Sequence, residues 1–284
     1  MHAGISPLPG SNDPIRSELC HAGRPWYETA FGADYAARYA HRDDAQAEAE
    51  IHFLLTTLQL PADARVLDLC CGSGRHLRVM LTHGLKAEGL DLSADLLALA
   101  LADGLPVTRA DMRAIPHPTG QFAAVFNLFT SFGYFDDAEN RGALNEMARV
   151  LAPGGRLVLD VLNPVATLTT LAPRSEKAIR WCTETESGEA PGAGGAGRAA
   201  RLIELRRYDP VARRLAKIVQ VWSPDGTRAH KEYLESVRVY FADEWPALLA
   251  GAGLRPVAMY GTLEGRRFEE LTSPRQVVLA EKPV

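Results

Sequence analysis

The segment Val66–Leu77, which reads V-L-D-L-C-C-G-S-G-R-H-L, constrains the fold more than any other part of the chain. It opens with an apolar run that is typical of a strand buried in a parallel sheet. Gly72 and Gly74 then permit positive φ and the close approach of a ligand. A helix beginning at Arg75 would direct its free amide groups toward that turn. The segment therefore predicts a buried strand, a ligand-binding turn and a helix.

The spacing of the glycines argues against a dinucleotide pyrophosphate site, which uses the pattern G-x-G-x-x-G. Leu77 occupies the position of the third glycine. A nicotinamide-binding fold nevertheless stays an alternative, because such folds also place an acid at the end of their second strand. Here that acid is Asp91, which could accept the hydroxyls of a ribose or could cap the helix predicted from Ser93 to Leu101.

Further predicted strands follow the first one and alternate with helices. They run from Lys86 to Leu92, from Pro106 to Met112, from Phe122 to Phe129 and from Arg156 to Val161, with a helix from about Asp136 to Leu151. Such alternation favours a parallel sheet with right-handed crossovers. Ligands of these sheets lie beyond the carboxyl ends of the strands, so we expect one binding site there.

The order of these motifs resembles that of the class I methyltransferases, which use S-adenosylmethionine (SAM). An acid, Asp68, precedes the glycine turn, and R-V-L-A-P-G-G-R-L-V-L-D ends at Asp160. Cys70 and Cys71 depart from the more frequent turn sequence. The resemblance implies an α/β fold with a doubly wound, mostly parallel seven-stranded sheet in the order 3-2-1-4-5-7-6. It also implies SAM as the cofactor and S-adenosylhomocysteine (SAH) as its product.

The resemblance further implies roles for residues at the strand ends. Asp68 would organise the turn near the cofactor's amino group, Asp91 would bind the ribose, and Asp111 with the backbone of Met112 would bind the adenine. Before the first strand, Arg42 could pair with the methionine carboxylate and Tyr39 could close over the sulfonium. The implied cofactor-binding set is Tyr39, Arg42, Asp68, Cys70, Cys71, Gly72, Gly74, Arg75, Asp91, Leu92, Asp111, Met112, Asn127 and Leu128.

Residues after the fourth strand face the transferable methyl group in this family. The implied substrate pocket comprises Phe129, Ser131, Phe132 and Tyr134, although Phe132 and Tyr134 could belong to the core instead. The proton acceptor is left open among Tyr134, His41, His76 and His117. No N-P-P-aromatic or D-P-P-aromatic run follows the fourth strand, which argues against methylation of nucleobase amines.

The remaining segments suggest a divided organisation. Residues 1–25 are rich in proline and glycine and are expected to form a flexible tail. Residues 26–164 and 241–284 are assigned to the SAM-binding core with N-terminal cover helices, because Trp26–Leu60 has helical periodicity. Residues 165–240 are expected to form an inserted antiparallel β subdomain of three or four strands, serving as a lid or a homodimer surface, with a flexible connection at Ser187–Ala200.

Composition limits the possible partners. A formal net charge of −4 gives no general attraction to nucleic acid or to anionic membranes. No apolar run reaches the length of about 18 residues that a membrane helix needs, and the first residues lack the pattern of a signal peptide, so a cytoplasmic protein is expected. The four cysteines show no disulfide or metal-binding spacing, and no metal is predicted.

The sequence thus predicts an enzyme that transfers a methyl group from SAM to a nitrogen or oxygen of a small-molecule acceptor. A non-catalytic SAM-fold binding subunit and an NAD(P)-dependent oxidoreductase are the principal alternatives. An aminopropyl transferase is a more distant one.

Overall fold

The computed structural model describes residues 20–21, 24–32, 35, 44–169, 179–186, 201–222 and 229–284. Tyr39, His41 and Arg42 therefore lie outside the described residues, as do the connection at Ser187–Ala200 and most of the tail predicted at residues 1–25. Within the described part, no helix has the length and apolar character needed to cross a membrane.

A seven-stranded sheet forms the centre of the fold. Its strands, in chain order, are β3 (Arg65–Leu69), β4 (Lys86–Asp91), β5 (Val107–Arg109), β6 (Phe122–Asn127), β7 (Leu151–Leu162), β12 (Arg255–Tyr260) and β13 (Arg275–Glu281). The spatial order is β5-β4-β3-β6-β7-β13-β12. Strands β3 to β7 pair in parallel, whereas β13 is antiparallel to both β7 and β12. This is the predicted order 3-2-1-4-5-7-6, which is confirmed.

Strands β7 and β5 differ most from their predicted bounds. The prediction ended a helix at Leu151 and began the next strand at Arg156, but β7 already begins at Leu151. It therefore runs through the Pro-Gly-Gly segment, and a register irregularity opposite Phe122 and Ala124 accommodates that segment. Strand β5 is shorter than the predicted strand from Pro106 to Met112 and leaves Asp111 in the loop beyond it.

The helices connect these strands and cover both faces of the sheet. They are α1 (Trp26–Thr29), α2 (Asp44–Leu58), α3 (Arg75–Thr82), α4 (Ala94–Ala102), α5 (Asp137–Val150), α6 (Pro164–Thr169) and α7 (Trp245–Gly251), with a 3-10 turn at Ala242–Glu244. Ser93 caps α4 by accepting a hydrogen bond from the Leu96 amide, and Asp136 caps α5 in the same way. Because Ser93 performs the capping, the Asp91 carboxylate is available for another role.

Alternation along the central strands sends side chains to two apolar layers. On β3, Val66 packs with the layer that includes Leu54 of α2, whereas Leu67 packs with the layer that includes Leu144 of α5. Both β3 residues are fully buried. Burial on both faces explains why these strands read as continuous apolar runs.

A second, four-stranded antiparallel sheet lies in the chain between α6 and the 3-10 turn. It consists of β8 (Ile179–Glu186), β9 (Arg201–Asp209), β10 (Arg214–Trp222) and β11 (Ala229–Arg238), in the order β11-β10-β9-β8. The predicted antiparallel insertion is confirmed. Near the N-terminus, β1 (Cys20–His21) and β2 (Arg24–Pro25) form a two-stranded ladder.

Candidate functional site

A cavity of about 290 Å³ opens at the carboxyl ends of β3, β4, β5 and β6. Sequence analysis predicted thirteen of its lining residues as binding residues, namely Asp68, Cys70, Cys71, Gly72, Arg75, Asp91, Leu92, Asp111, Met112, Leu128, Phe129, Ser131 and Tyr134. Other lining residues were not predicted to bind the cofactor or the substrate, and they include Tyr27, Phe31, Tyr35, Ser73, His76 and Phe135. The cavity therefore lies where parallel α/β sheets hold their ligands.

Asp91 ties the turn after β3 to the end of β4. Its Oδ2 accepts a hydrogen bond from the Gly72 amide at 2.9 Å, and its Oδ1 accepts one from the Ser93 amide at 2.8 Å. Burial raises the pKa of Asp91 above its ordinary value, although both amides favour the charged form. The carboxylate is thus held rigidly at the cavity wall, with its remaining lone pairs available to a ligand.

Gly74 is not among the residues that line the cavity, although Ser73 and Arg75 on either side of it are, and its contact with a cofactor stays a prediction. It is the N-cap of α3 and has φ of +82°, so the turn itself requires a residue that tolerates the left-handed region. A Cβ atom at this position would overlap Leu105 Cδ1 and approach Ala100. A larger residue would therefore disturb the packing of α3 on α4 before it reached the cavity.

Gly89 of the neighbouring strand β4 allows the close helix–strand packing that the third glycine of a dinucleotide motif allows. Leu77 is fully buried. A Cβ on Gly89 of β4 would lie 2.8 Å from Leu77 Cδ2 and 2.8 Å from Cys71 Sγ. In a dinucleotide motif, a glycine on the helix lets helix and strand approach closely. In this chain the glycine lies on the strand and the larger residue lies on the helix.

Asp68 is a buried carboxylate with an unsatisfied oxygen. It is 2% exposed, and its Oδ2 has no hydrogen-bond partner among the described residues. Burial raises the pKa of Asp68 to about 6, despite the opposing effect of His76 and Arg75. An unpaired carboxylate oxygen facing a cavity is costly in the absence of a ligand, which makes it a strong candidate receptor for a cationic group.

Arg75 presents a complementary donor at the same cavity. Its Nη2 donates to Glu50 Oε2 at 2.9 Å, whereas its Nη1 is buried and has no partner among the described residues. The same Glu50 oxygen lies 2.7 Å from His76 Nε2. Glu50 is 2% exposed, and its pKa is lowered because hydrogen bonds and charge from His76 and Arg75 outweigh the effect of burial. Glu50 thus fixes the direction of the Arg75 guanidinium.

Sequence analysis did not identify Glu50. Glu50 lies on α2 beside Ile51, and Leu54 continues the apolar spacing of the same helix. The sequence therefore shows an acid on the buried face of a helix, and this pattern could have predicted that Glu50 is buried. Such a residue needs a buried basic partner, but the sequence alone does not show which one.

The two cysteines in the turn are neutral thiols. Cys70 has φ of +65°, and its amide donates to the Leu90 carbonyl at 2.6 Å. Burial raises the pKa of both thiols well above the ordinary range, with the neighbouring carboxylates acting in the same direction. Both side chains line the cavity, and neither is poised as a nucleophile.

Asn127 supports the turn from below and is not among the residues that line the cavity, and its contact with a cofactor stays a prediction. It is fully buried, and its Nδ2 donates to the Leu69 carbonyl at 3.1 Å. It is also close enough to Cys70 to hydrogen-bond the thiol. Since the side chain lies inside the sheet edge, its role in the described structure is to hold β6 against the start of the glycine turn.

The loop after β6 begins in a strained conformation. Phe129 and Thr130 have φ of +69° and +62°, which side chains other than glycine seldom adopt. Asp160 Oδ2 accepts a hydrogen bond from the Phe129 amide at 2.9 Å, and the Asp160 Oδ1 forms an ion pair with Arg275. Arg275 also donates to Thr130 Oγ1 at 2.8 Å. This network holds the reversal that directs Phe129 and Ser131 to the cavity.

The reversal sends Phe132 away from the cavity and into the core, which is the alternative that the sequence analysis left open for it. Phe132 is 1% exposed and packs against the rings of Tyr240 and Trp245, at centroid distances of 5.4 and 6.1 Å. Ser131 does line the cavity, and its hydroxyl donates to the Leu128 carbonyl at 3.0 Å.

An aromatic wall, formed by Phe31, Tyr35 and Tyr134 with Trp26 packed against Phe31 and Tyr134, lines part of the cavity. Phe31 stacks on Tyr134 at 5.7 Å with an interplanar angle of 17°, and Trp26 meets Tyr134 edge-on at 4.8 Å. Burial raises the pKa of Tyr134 well above its ordinary value. Tyr134 therefore remains a neutral phenol, which argues against its predicted role as a proton acceptor.

The adenine side of the predicted site contains a carboxylate that is already paired. Asp111 and Met112 line the cavity, and Arg113 bonds Asp111 through its Nη2 at 2.6 Å. The Arg113 guanidinium also lies 4.3 Å from the Phe135 ring centroid. This pairing lowers the pKa of Asp111, so the group is an anionic acceptor at neutral pH.

The candidate histidines differ in position. His76 lines the cavity but is committed to Glu50. His117 packs on Phe122, at the beginning of β6, with a centroid distance of 5.0 Å. Because β6 runs toward the cavity, His117 lies at the opposite end of the sheet and is not among the residues that line the cavity. His41, Tyr39 and Arg42 lie outside the described residues.

Comparison with known proteins gives consistent results. Residues 66–155 match the family model described as a methyltransferase domain. The chain is 26% identical, over 255 residues, to dTDP-3-amino-3,6-dideoxy-alpha-D-glucopyranose N,N-dimethyltransferase of Streptomyces fradiae. This alignment covers 88% of this chain and 86% of that enzyme. It is 42% identical over 107 residues to demethylmenaquinone methyltransferase of Thermus thermophilus, covering 34% of this chain and about half, 47%, of the relative.

A solved structure extends the likeness to three dimensions. SAM-bound CalS10, an amino pentose methyltransferase of Micromonospora echinaspora, aligns with a TM-score of 0.61 and 26% identity. The alignment covers 87% of this chain and 96% of that one. The likeness therefore extends beyond residues 66–155, the part that matches the family model.

Proposed function

Because the chain belongs to the class I, Rossmann-like SAM-dependent methyltransferases, we propose that it methylates the amine nitrogen of a small molecule. The observation that carries the proposal is the pair of unsatisfied groups at the cavity, Asp68 Oδ2 and Arg75 Nη1. A buried anionic oxygen and a buried cationic donor in one cavity are complementary to an α-ammonium and an α-carboxylate. The methionine end of SAM carries both groups.

The other strand ends fit the remainder of the cofactor. We assign the ribose hydroxyls to Asp91, whose two oxygens are held by the Gly72 and Ser93 amides, and the adenine to Asp111 and Met112. When bound, SAM supplies a methyl group that its sulfonium already activates. The protein must then orient the acceptor and exclude water from the reaction. It needs no general base if the acceptor enters the site already deprotonated.

The choice of nitrogen over oxygen rests on the groups around the aromatic wall. Among the described lining residues, Tyr134 is a neutral phenol, the Ser131 hydroxyl is bonded to a carbonyl, and His76 is bonded to Glu50. An alcohol acceptor needs a base in the transition state, whereas an amine can lose its proton to water before it enters the site. The described cavity therefore suits an amine.

The acceptor class that we propose is an amino sugar. The Streptomyces fradiae relative is an N,N-dimethyltransferase of a dTDP-amino sugar, and CalS10 is an amino pentose methyltransferase. Phe31 and Tyr134 provide flat apolar surfaces on which a sugar ring can lie, and their rings attract the cation that N-methylation produces.

The test measures binding and turnover separately. Calorimetry with SAH and with NADH should show binding of SAH alone, and binding of NADH alone would overturn the family-based proposal. Tritiated SAM and dTDP-3-amino-3,6-dideoxyglucose should give products heavier by one and two methyl groups in mass spectra. Transfer to a matched 3-hydroxy sugar, with none to the amine, would refute nitrogen selectivity. SAH binding with no transfer to a panel of amino sugars and simple amines would favour a non-catalytic binding subunit.

A further inference from the structure

Arg214, the first residue of β10 in the inserted sheet, reaches across to the loop between β6 and α5. Its Nη1 donates to the Phe135 carbonyl at 2.7 Å, and its Nη2 donates to the Tyr134 carbonyl at 3.0 Å. The third carbonyl of this loop, that of Gly133, lies 3.5 Å from the same Nη2. One guanidinium thus contacts three consecutive backbone carbonyls of a loop that lines the candidate active site.

The inserted sheet also holds Arg214 in place from behind. Its Nε donates to Ser236 Oγ at 2.9 Å, and its Nη2 donates to the Ser236 carbonyl at 2.7 Å. Ser236 lies on β11 and is fully buried. No carboxylate forms an ion pair with Arg214 in the part of the chain that the structure describes, so neutral oxygens solvate its charge. A planar guanidinium with donors on both edges can bridge two such segments at once.

A second bond fixes the spacing between the loop and the sheet. The amide of Arg238, at the end of β11, donates to the Gly133 carbonyl at 2.7 Å. Gly133 has φ of +104°, and a Cβ there would overlap the Arg238 carbonyl oxygen. The chain therefore needs glycine at this position for the inserted sheet to approach the loop so closely.

The loop that these bonds hold carries part of the aromatic wall. Tyr134 follows Gly133 directly, and its ring contacts both Phe31 and Trp26. On the other side of the loop, Asn140 of α5 donates to the Phe135 carbonyl at 2.8 Å, so that carbonyl accepts from both the core and the insertion. The position of Tyr134 consequently depends on the inserted sheet as well as on the methyltransferase core.

We infer that Arg214 is a positioning residue through which the inserted sheet sets the location of Tyr134 in the acceptor pocket. The effect of Arg214 on catalysis rests on the proposed function, whereas its effect on the position of the loop at residues 133–135 does not. Through Arg214, the insertion has a direct role in substrate positioning: the sheet supplies the support for one wall of the pocket. The cofactor turn at Cys70 to Arg75 has no hydrogen bond to Arg214 among the described residues, so cofactor binding should be independent of it.

The structural part can be tested by hydrogen–deuterium exchange on the full chain, without an acceptor. In Arg214→Met, amides in the peptide 129–136 should exchange about 10-fold faster or more, because buried carbonyls lose charged hydrogen-bond donors. The peptide 70–77 should be unchanged. Arg213→Met is the matched control, since the neighbouring Arg213 is half exposed and pairs with Glu244 instead. Equal exchange in wild type and Arg214→Met would overturn the inference.

The catalytic part is read from kinetics with dTDP-3-amino-3,6-dideoxyglucose as the acceptor. Arg214→Met should lower kcat/KM for the acceptor by about 10-fold to 100-fold, since a misplaced pocket wall misaligns the nucleophile. The Kd for SAH should stay within about twofold of the wild-type value, as expected for distant sites. A parallel loss of SAH affinity would indicate general destabilisation and would refute a positioning role.

Arg214→Lys guards against a variant that fails to fold. It keeps the charge, but an ammonium cannot span the three carbonyls, so it should show the same changes as Arg214→Met to a smaller degree. Wild-type exchange in the peptide 129–136 of Arg214→Lys would overturn the inference. If the wild-type protein itself fails to methylate the amino sugar, the proposed acceptor is wrong, and the exchange and SAH measurements still decide the role of Arg214.

Discussion

Replacing Asp68 with asparagine should make the protein more stable while making its cofactor site worse. The Asp68 carboxylate is buried, and its Oδ2 has no partner among the described residues. Asparagine has nearly the same shape but carries no charge, so the variant removes the desolvation penalty without opening a cavity. The same change deletes the anion that we assign to the α-ammonium of SAM. Stability and affinity should therefore move in opposite directions.

The magnitude follows from the pKa of Asp68, which burial raises from 3.8 to about 6. At pH 7 a shift of this size corresponds to a penalty of about 3 kcal/mol on the charged form in the folded state. Removing the charge removes this penalty, but part of the stability gained is lost where the asparagine amide lacks hydrogen-bond partners. We therefore expect Asp68→Asn to raise the free energy of unfolding by about 1–3 kcal/mol at pH 7.

The pH dependence gives a stricter test than the single value. Because the folded pKa lies above the unfolded one, the folded state binds more protons between pH 3.8 and about 6. The penalty from Asp68 is complete above pH 6 and disappears as the pH falls through this window. The stability difference between Asp68→Asn and the wild type should therefore shrink on acidification. SAH binding by the wild type should weaken over the same range, because an ammonium prefers the ionised carboxylate.

Urea unfolding at several pH values, together with calorimetric titration of SAH, measures both effects. Asp111→Asn serves as the control with the opposite sign, because the ion pair with Arg113 lowers the pKa of Asp111. That variant should lose stability at pH 7. The reasoning is refuted if Asp68→Asn is less stable than the wild type at pH 7, or if the difference between them does not change between pH 7 and pH 4.5.

Three further variants test other parts of the site. Asp91→Ala should weaken SAH binding by about 1–3 kcal/mol in calorimetry through the loss of a ribose acceptor, and unchanged affinity would remove Asp91 from the site. Gly89→Ala should lower the free energy of unfolding by about 1–3 kcal/mol, because its Cβ would overpack the core. Gly142→Ala, in an open helical position, should raise the free energy of unfolding by about 0.5–1 kcal/mol. Equal effects of the two substitutions in urea unfolding would contradict this reasoning. Tyr134→Phe should retain the acidic limb of the pH–rate profile, where a general base loses activity by becoming protonated, and the disappearance of that limb would identify Tyr134 as the base.

The strand order and the edge that holds the site were predictable because each depends on short-range patterns. Buried strands, glycine turns and capped helices can be read locally, and a parallel sheet then brings every carboxyl end to one edge. Asp68, Asp91 and Asp111 lie at this edge, since each is within two residues of the carboxyl end of its strand, and all three line the cavity. The alternation of strands and helices predicted the edge on which these acids lie, whereas their individual roles came from the family resemblance.

The predictions failed where backbone direction changed without a signal in the sequence. Leu128 to Phe135 is rich in aromatic residues, and nothing in its composition shows that Phe129 and Thr130 adopt positive φ. That reversal separates the cavity residue Ser131 from the core residue Phe132. Long-range partners were equally hidden, because the bond from Arg214 to Phe135 joins residues far apart in sequence.

Several of the places where local preference is violated lie at the proposed site. Within the described residues, Cys70, Phe129 and Thr130 are among only five non-glycine residues with positive φ, and Cys70 and Phe129 both line the cavity. The unsatisfied Asp68 and Arg75 atoms lie at the same cavity. A sequence selected only for stability would relieve these features, for example by placing glycine at position 70. Their retention together at one strand edge, and the ability of a zwitterionic cofactor to satisfy the two unpaired charges, make binding the most economical physical explanation for them.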